Sequence, residues 1–303
     1  MRSNGPSELR LRPLAGGEGW NVCDVICNAG PHVRPSEEQH QVVSIAIVRS
    51  GTFQYRSGAG RELMTPGSLL LGNPGQYFEC SHEHGVGDRC LSFSYQPWLL
   101  EELVSEAGLR VPRTPFSVLR VPVVRELSSV VARACARSAK SLLPLDGEGT
   151  RSWEEIALEL PVRALELANG TPNRGTSPSA EARVTRVIRM IDDRPAEKHS
   201  LGDLATAAKL SRFHFLRVFQ QFTSLTPHQY LRRIRLRRAA TRLLLEPTAI
   251  LDIALDSGFG DVSNFNHAFI SEFAVSPRLF RRRSRPRPIG DIVSRARRTA
   301  GVR

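Results

Sequence analysis

Two periodicities divide this chain. Up to about residue 95, apolar residues alternate with polar ones in short runs broken by turn residues, and beyond residue 97 they recur every three to four positions. In the first part, residues 21–27, 41–48, 52–56, 61–65, 68–71, 77–80 and 90–94 are predicted strands. Val43, Ile45 and Ile47 alternate with Ser44 and Ala46, although Val48 breaks the polar side. Ser50-Gly51, Pro66-Gly67 and Asn73-Pro74-Gly75 are turns, because Pro presets φ and Gly admits positive φ. Strands this closely spaced predict a small barrel or double-sheet roll, a form that can enclose a ligand.

The helical pattern covers residues 98–107, 123–140 and 152–168, with Trp153, Ile156 and Leu160 on one stripe. Pro161 is expected to kink or split the third of these. Helices flanking a β-roll pack on it or on a second subunit, and the pattern leaves both open. Residues 171–179 hold no apolar residue and read as a linker. Residues 182–194 then carry Val184, Val187, Ile188 and Ile191 on one stripe, and Pro195 ends that helix.

A repeat organises residues 201–280. Ala205, Phe215, Phe219 and Pro227 have counterparts in Ala254, Phe265, Phe269 and Pro277, offset by 49 or 50 residues. Each set reads as a helix-turn-helix. In the first, Ser200 caps a helix over 201–209, with Asp203 completing a capping box; Leu210 makes the turn and Ser211 caps a helix over 212–222. In the second, a helix over 250–256 leads through Gly258-Phe259-Gly260 to Asp261, the cap of a helix over 262–273. Phe215, Phe219 and Phe222 are expected inward, leaving Arg217 and Gln220 outward beside Phe213 and Leu216. An outward Arg/Gln stripe suits a major groove, where Arg pairs with guanine and Gln with adenine. Phe213 and Leu216 either meet thymine methyls or sit half-buried.

Between the units, Thr226-Pro227 opens a helix reaching about residue 245. It carries Arg232, Arg233, Arg235, Arg237, Arg238 and Arg242, which read as solvated surface with phosphate contacts at one or two. Some 19 residues span roughly 28 Å. That is near the ~34 Å between successive major-groove faces.

Charge agrees with this division. Residues 1–179 hold 18 Lys/Arg against 19 Asp/Glu, residues 180–280 hold 15 against 10, and residues 281–303 hold 9 against 1. The net +12 therefore resides in the C-terminal part, where phosphate would be met. The last stretch is expected to be a disordered basic tail. No 18-residue apolar run and no basic-then-apolar leader occur, so the expectation is a cytoplasmic protein without membrane contact. Five cysteines, an odd number, argue against a disulfide framework. Cys80, His82, His84 and Cys90 lie within eleven residues and are candidate metal or redox ligands, against ordinary loop-edge residues. His32 and His40 read as surface or cavity-lining histidines.

Ile253-Ala254, Gly258-Phe259, Phe265, Phe269, Ser276-Pro277 and Phe280-Arg281 closely resemble the AraC/XylS family of bacterial transcription regulators. The specific resemblance spans residues 182–283. It implies an α+β chain: a cupin-like sensing or dimerisation domain (1–170), a linker (171–180), an all-α double helix-turn-helix domain (181–283) and a basic tail (284–303). It implies an effector-responsive activator that is not an enzyme and needs no cofactor. The partners implied are double-stranded operator DNA, RNA polymerase, a small-molecule effector and a second subunit. The base-contacting face covers Arg212, Phe213, Leu216, Arg217 and Gln220, then Val262, Ser263, Asn264, Asn266 and His267. Two departures stand out. Ser224 and Ala274 occupy positions where the family often has glycine, and Phe280 replaces a tyrosine. The rival readings are a redox- or metal-responsive regulator using Cys80, His82, His84 and Cys90, and a metal-dependent cupin enzyme.

Overall fold

The computed structural model describes residues 9–31, 33, 35–82, 87–108, 113–140, 148–168 and 178–283. Most of the 171–180 linker and all of the 284–303 tail lie outside these residues. Among the described residues, ten strands form two antiparallel sheets. The larger has the order β1-β2-β9-β4-β7-β10 and the smaller β3-β8-β5-β6. The strands are β1 (Leu9–Gly17), β2 (Trp20–Cys27), β3 (Glu37–Gln39), β4 (Val43–Gly51), β5 (Phe53–Ser57), β6 (Gly60–Met64), β7 (Leu69–Gly72), β8 (Tyr77–Ser81), β9 (Asp88–Tyr95) and β10 (Arg120–Val121).

The larger sheet is the middle layer. On one face of β4, Val43, Ile45 and Ile47 pack with Leu91, Phe93 and the helices. On the other face, Ala46 and Val48 pack with Phe53, Tyr55 and Met64 of the smaller sheet. This explains why the alternation fails at Val48: a strand covered on both sides has no polar side to keep.

Three helices cover the outer face of that sheet or lead away from it: α1 (Pro97–Glu106), α2 (Ser128–Lys140) and α3 (Glu148–Ala168). Of the expected kink or split at Pro161, the split does not occur: α3 runs through it. Trp153, Ile156, Ala157, Leu160 and Ala164 of α3 are buried in the sheet's core, and Trp153 meets Phe93 edge-on at 6.0 Å. Burying such a stripe at about 25 cal/mol per Å² outweighs the helix bond that proline removes.

The C-terminal part is helical throughout: α4 (Pro178–Asp193), α5 (Leu201–Ala207), α6 (Arg212–Thr223), α7 (Pro227–Leu245), α8 (Ile250–Asp256), α9 (Val262–Phe273) and α10 (Pro277–Arg283). Helix α4 thus begins within the expected linker. Phe215, Phe219 and Tyr230 centre one core, and Phe265, Phe269 and Phe280 a second. Each core also takes residues from the first half of the chain, Leu63 and Val123 in one and Ala132 in the other. The two halves are docked, and α2 packs along α7 and reaches α9.

Candidate nucleic-acid interface

Helices α6 and α9 are entered by the same local chemistry. After α5, Lys209 takes a left-handed φ of 54°, and the Leu210 N–H donates to Ala205 O at 3.0 Å. After α8, Gly258 does the same at φ 86°, and the Phe259 N–H donates to Ala254 O at 3.2 Å. The turn residue in the first unit is therefore Lys209 rather than Leu210. Ser211 caps α6 by accepting from the His214 N–H at 3.4 Å, and Asp261 caps α9 by accepting from the Asn264 N–H at 2.7 Å. The expected capping box forms between Ser200 and Asp203, and a second joins Thr226 to Gln229. Both α6 and α9 end in a left-handed residue, Ser224 at φ 61° and Ala274 at φ 58°. The glycines missing there have been replaced without loss of the cap geometry. Arg120, from the sheet, donates to Phe222 O at 2.8 Å and so satisfies a carbonyl in the last turn of α6.

These caps aim two faces. Phe215, Phe219 and Phe222 are buried on α6, as are Phe265, Phe269 and Phe273 on α9. Opposite them, Arg212, His214, Arg217, Gln220 and Gln221 are exposed, and so are Ser263, Asn264, His267, Ile270 and Ser271. Leu216, Val262 and Asn266 are half-buried, and the Phe213 side chain lies outside the described residues. Arg217 has no hydrogen bond or ion pair among the described residues. The spacing argument did not single out His214, Gln221, Ile270 and Ser271. Their three- and four-residue separation from Arg217 and His267 was the available signal.

The arginines of α7 depart from expectation. Arg233 donates to Val123 O at 2.6 Å and pairs with Glu272 at 3.2 Å. Arg235 holds three carbonyls, those of Pro195 (2.6 Å), Glu197 (2.8 Å) and Gly258 (2.8 Å). Arg238 pairs with Asp192 at 3.2 Å, and Arg242 with Glu246 at 3.0 Å and Asp256 at 3.1 Å. Arg237 is buried, and burial pulls its pKa down to about 10. Arg232 alone of the six is exposed without a partner among the described residues. Four of the six therefore brace the fold and Arg237 is withdrawn from water, because α7 lies between the two cores and the sheet half rather than at a free surface.

The cysteine and histidine cluster is rearranged by the fold. His82 is buried and its Nε2 meets Asp88 Oδ1 at 2.5 Å. Burial pulls the imidazole down, but hydrogen bonds to Asp88 and Cys27 outweigh it and raise its pKa to about 9. Ligand atoms of Cys27, His82 and Asp88 come within 4.8 Å of one another. Cys27 arrives from β2, so nothing in the local spacing announced it. His84 and His32 lie outside the described residues. The His82–Asp88 ion pair satisfies both side chains without an ion. Burial pushes the thiols of Cys80 and Cys90 well up, which keeps them protonated and poorly nucleophilic. All five cysteines are free. His40 is half-buried: it stacks on Phe78 with ring centroids 4.2 Å apart and bonds Tyr55 Oη at 2.8 Å.

A double-sheet domain docked on a pair of capped helix-turn-helix units defines a two-part regulator architecture. A family model described as an AraC-like ligand binding domain matches residues 28–159, and one described as a helix-turn-helix domain matches residues 204–283. The chain belongs to the AraC/XylS family. It is similar to the HTH-type transcriptional regulator MtrA of Neisseria gonorrhoeae, with 30% identity over 102 residues, 34% of each chain. It is also similar to the HTH-type transcriptional activator RhaS of Enterobacter sp. (strain 638), with 36% identity over 132 residues, 44% of this chain and 45% of that one. The melibiose operon regulatory protein of Escherichia coli (strain K12) matches more of the length, 85% of this chain and 87% of its own, at 22% identity. The chain spans less than half the length of the first two curated relatives.

Proposed function

We propose that this chain is a sequence-specific DNA-binding regulator of transcription, acting in the cytoplasm as an effector-responsive activator rather than an enzyme. Helices α6 and α9 enter successive major grooves and read bases, with Arg212, Leu216, Arg217 and Gln220 on one and Val262, Ser263, Asn264, Asn266 and His267 on the other. Phe213 joins them by its place in α6. Residues 1–170 sense a small molecule and mediate contact with a second subunit. Residues 181–283 bind the operator and engage RNA polymerase, and the 284–303 tail adds nonspecific phosphate affinity. One observation carries this reading. The aromatic faces of α6 and α9 are buried while their polar faces are open, even with the two halves docked.

The experiment is selection of genomic fragments by the purified protein, with footprinting and anisotropy titration of the selected site. The expected footprint covers two major-groove faces one helical turn apart. Arg217→Ala is expected to cost about 1–3 kcal/mol on that site and little on unrelated duplex. An equal loss on all sequences makes Arg217 a phosphate contact, and the absence of any selected sequence removes the proposal.

A further inference from the structure

Three segments meet at one end of the space between the two sheets. Cys27 ends β2, Asp88 opens β9 as its direct cross-strand partner, and His82 follows β8 of the smaller sheet by one residue. By strand alternation Cys27 and Asp88 lie on the face that Val25 and Cys90 turn toward the smaller sheet. A thiol, an imidazole and a carboxylate are thereby brought together, with ligand atoms within 4.8 Å of one another. The side chains of His82 and Asp88 are only 3% and 7% exposed. Cys27 is half-buried, so the cluster is approached from its side.

Asp88 is unlike the other buried carboxylates. Asp24, Glu181 and Glu272 are each paired with arginine, which cannot release its proton. Asp88 instead meets His82 Nε2 at 2.5 Å and the Cys90 thiol, which donates to its Oδ2 at 3.3 Å. The Ala29 N–H donates to Cys27 Sγ at 3.4 Å. Two of the three groups are therefore held in orientation by neighbours that are not themselves ligands, as metal-binding side chains are. Cys90 is one of those neighbours, so the four-residue set suggested by spacing along the chain is not the set the fold assembles. Thiolate, imidazole and carboxylate together suit zinc, whereas magnesium and calcium take oxygen ligands.

We propose that Cys27, His82 and Asp88 bind a single zinc ion as three of its four ligands. The ion takes the place of the proton between His82 and Asp88 and of the Cys27 thiol proton, and two protons leave to solvent. Because the ligands come from β2, β9 and the segment after β8, the ion ties the two sheets together at this end. The site stands whether or not the chain regulates transcription, since its test reads metal binding alone.

The test uses the full chain, reduced and freed of metal by a chelator. It is titrated with zinc chloride against a competing chromophoric chelator, and separately with cobalt(II) and magnesium chlorides. Zinc is expected to bind at one ion per chain and to raise the unfolding midpoint, and magnesium to do neither. Cobalt is expected to give a thiolate-to-metal charge-transfer band that Cys27→Ser abolishes. Cys27→Ser and Asp88→Asn are each expected to weaken zinc by about tenfold or more, and Cys90→Ser, which keeps a donor to the carboxylate, by much less. Metal-free unfolding controls for folding: Cys27→Ser exchanges one atom of a half-buried side chain and is expected to keep the parent's midpoint. Zinc held with parental affinity by folded Cys27→Ser and Asp88→Asn sits on other side chains and overturns the site. A cobalt complex without the charge-transfer band, or no saturable zinc binding, overturns it too. A loss in Cys90→Ser as large as in Cys27→Ser overturns the three-residue ligand set.

Discussion

Ser224 and Ala274 show at single-residue scale how the family pattern and the physics part company. Both sit at φ near +60°, where a Cβ costs roughly 1–2 kcal/mol and glycine costs nothing. Ala274→Gly is therefore expected to raise stability by about 0.5–1 kcal/mol, after the larger unfolded-state entropy of glycine is subtracted. Urea unfolding of the single variant checks this, and a lower midpoint would show that the left-handed cap is relaxed in solution. His40 offers a pH test of the sheet domain. Burial pulls its pKa down from 6.5 to about 4, so between these values the unfolded chain binds more protons. The contribution is fully present above about 6.5 and is lost as pH falls toward 4. His40→Gln is expected to flatten that part of the stability profile, and an unchanged slope between pH 6.5 and 4 would assign the acid sensitivity to other groups.

At the scale of elements, α7 is a spacer whose arginines are fasteners. Arg235 ties the end of α4 to the α8–α9 turn through three carbonyls, which only a planar fork with several donors can do. Arg235→Lys is expected to destabilise the C-terminal part by about 2 kcal/mol, since a lysine leaves some of those carbonyls without donors. Amide exchange should accelerate in the turn before α9 first. A lysine variant as stable as the parent would mean that solvent replaces the fork. The caps of α6 and α9 belong to the same scale. Ser211 and Asp261 were readable because an N-cap needs only one side-chain oxygen three residues ahead of its donor.

At the scale of the whole molecule, docking of the two halves is built from polar contacts as much as apolar ones. Arg233 joins Val123 O to Glu272, while Glu272 also meets Ser128 of α2. Gln54 and Arg61 grip the buried Glu181 of α4, and Arg189 donates to Thr52 Oγ1 at 3.0 Å. Arg233→Ala leaves the buried Glu272 with half its partners. It is expected to cost about 3 kcal/mol and to raise amide exchange in α2 and α9 together. Faster exchange in α9 alone would show that Arg233 braces the helical part and not the docking.

Much of this was legible in one dimension. Caps, turns and amphipathic stripes depend on residues fewer than about eight apart, so the paired helix-turn-helix units and most strands could be read from spacing. The fates of Pro161, Val48, Cys27 and five arginines on α7 could not. Each is decided by what arrives from elsewhere in the chain: a sheet under α3, a second sheet behind β4, β2 beside His82, and α2 against α7. Sequence determined the elements and the exposed faces of α6 and α9 through local hydrogen bonding and periodicity. Tertiary structure alone decided which charges were withdrawn from water, because burial belongs to neighbours distant in the chain.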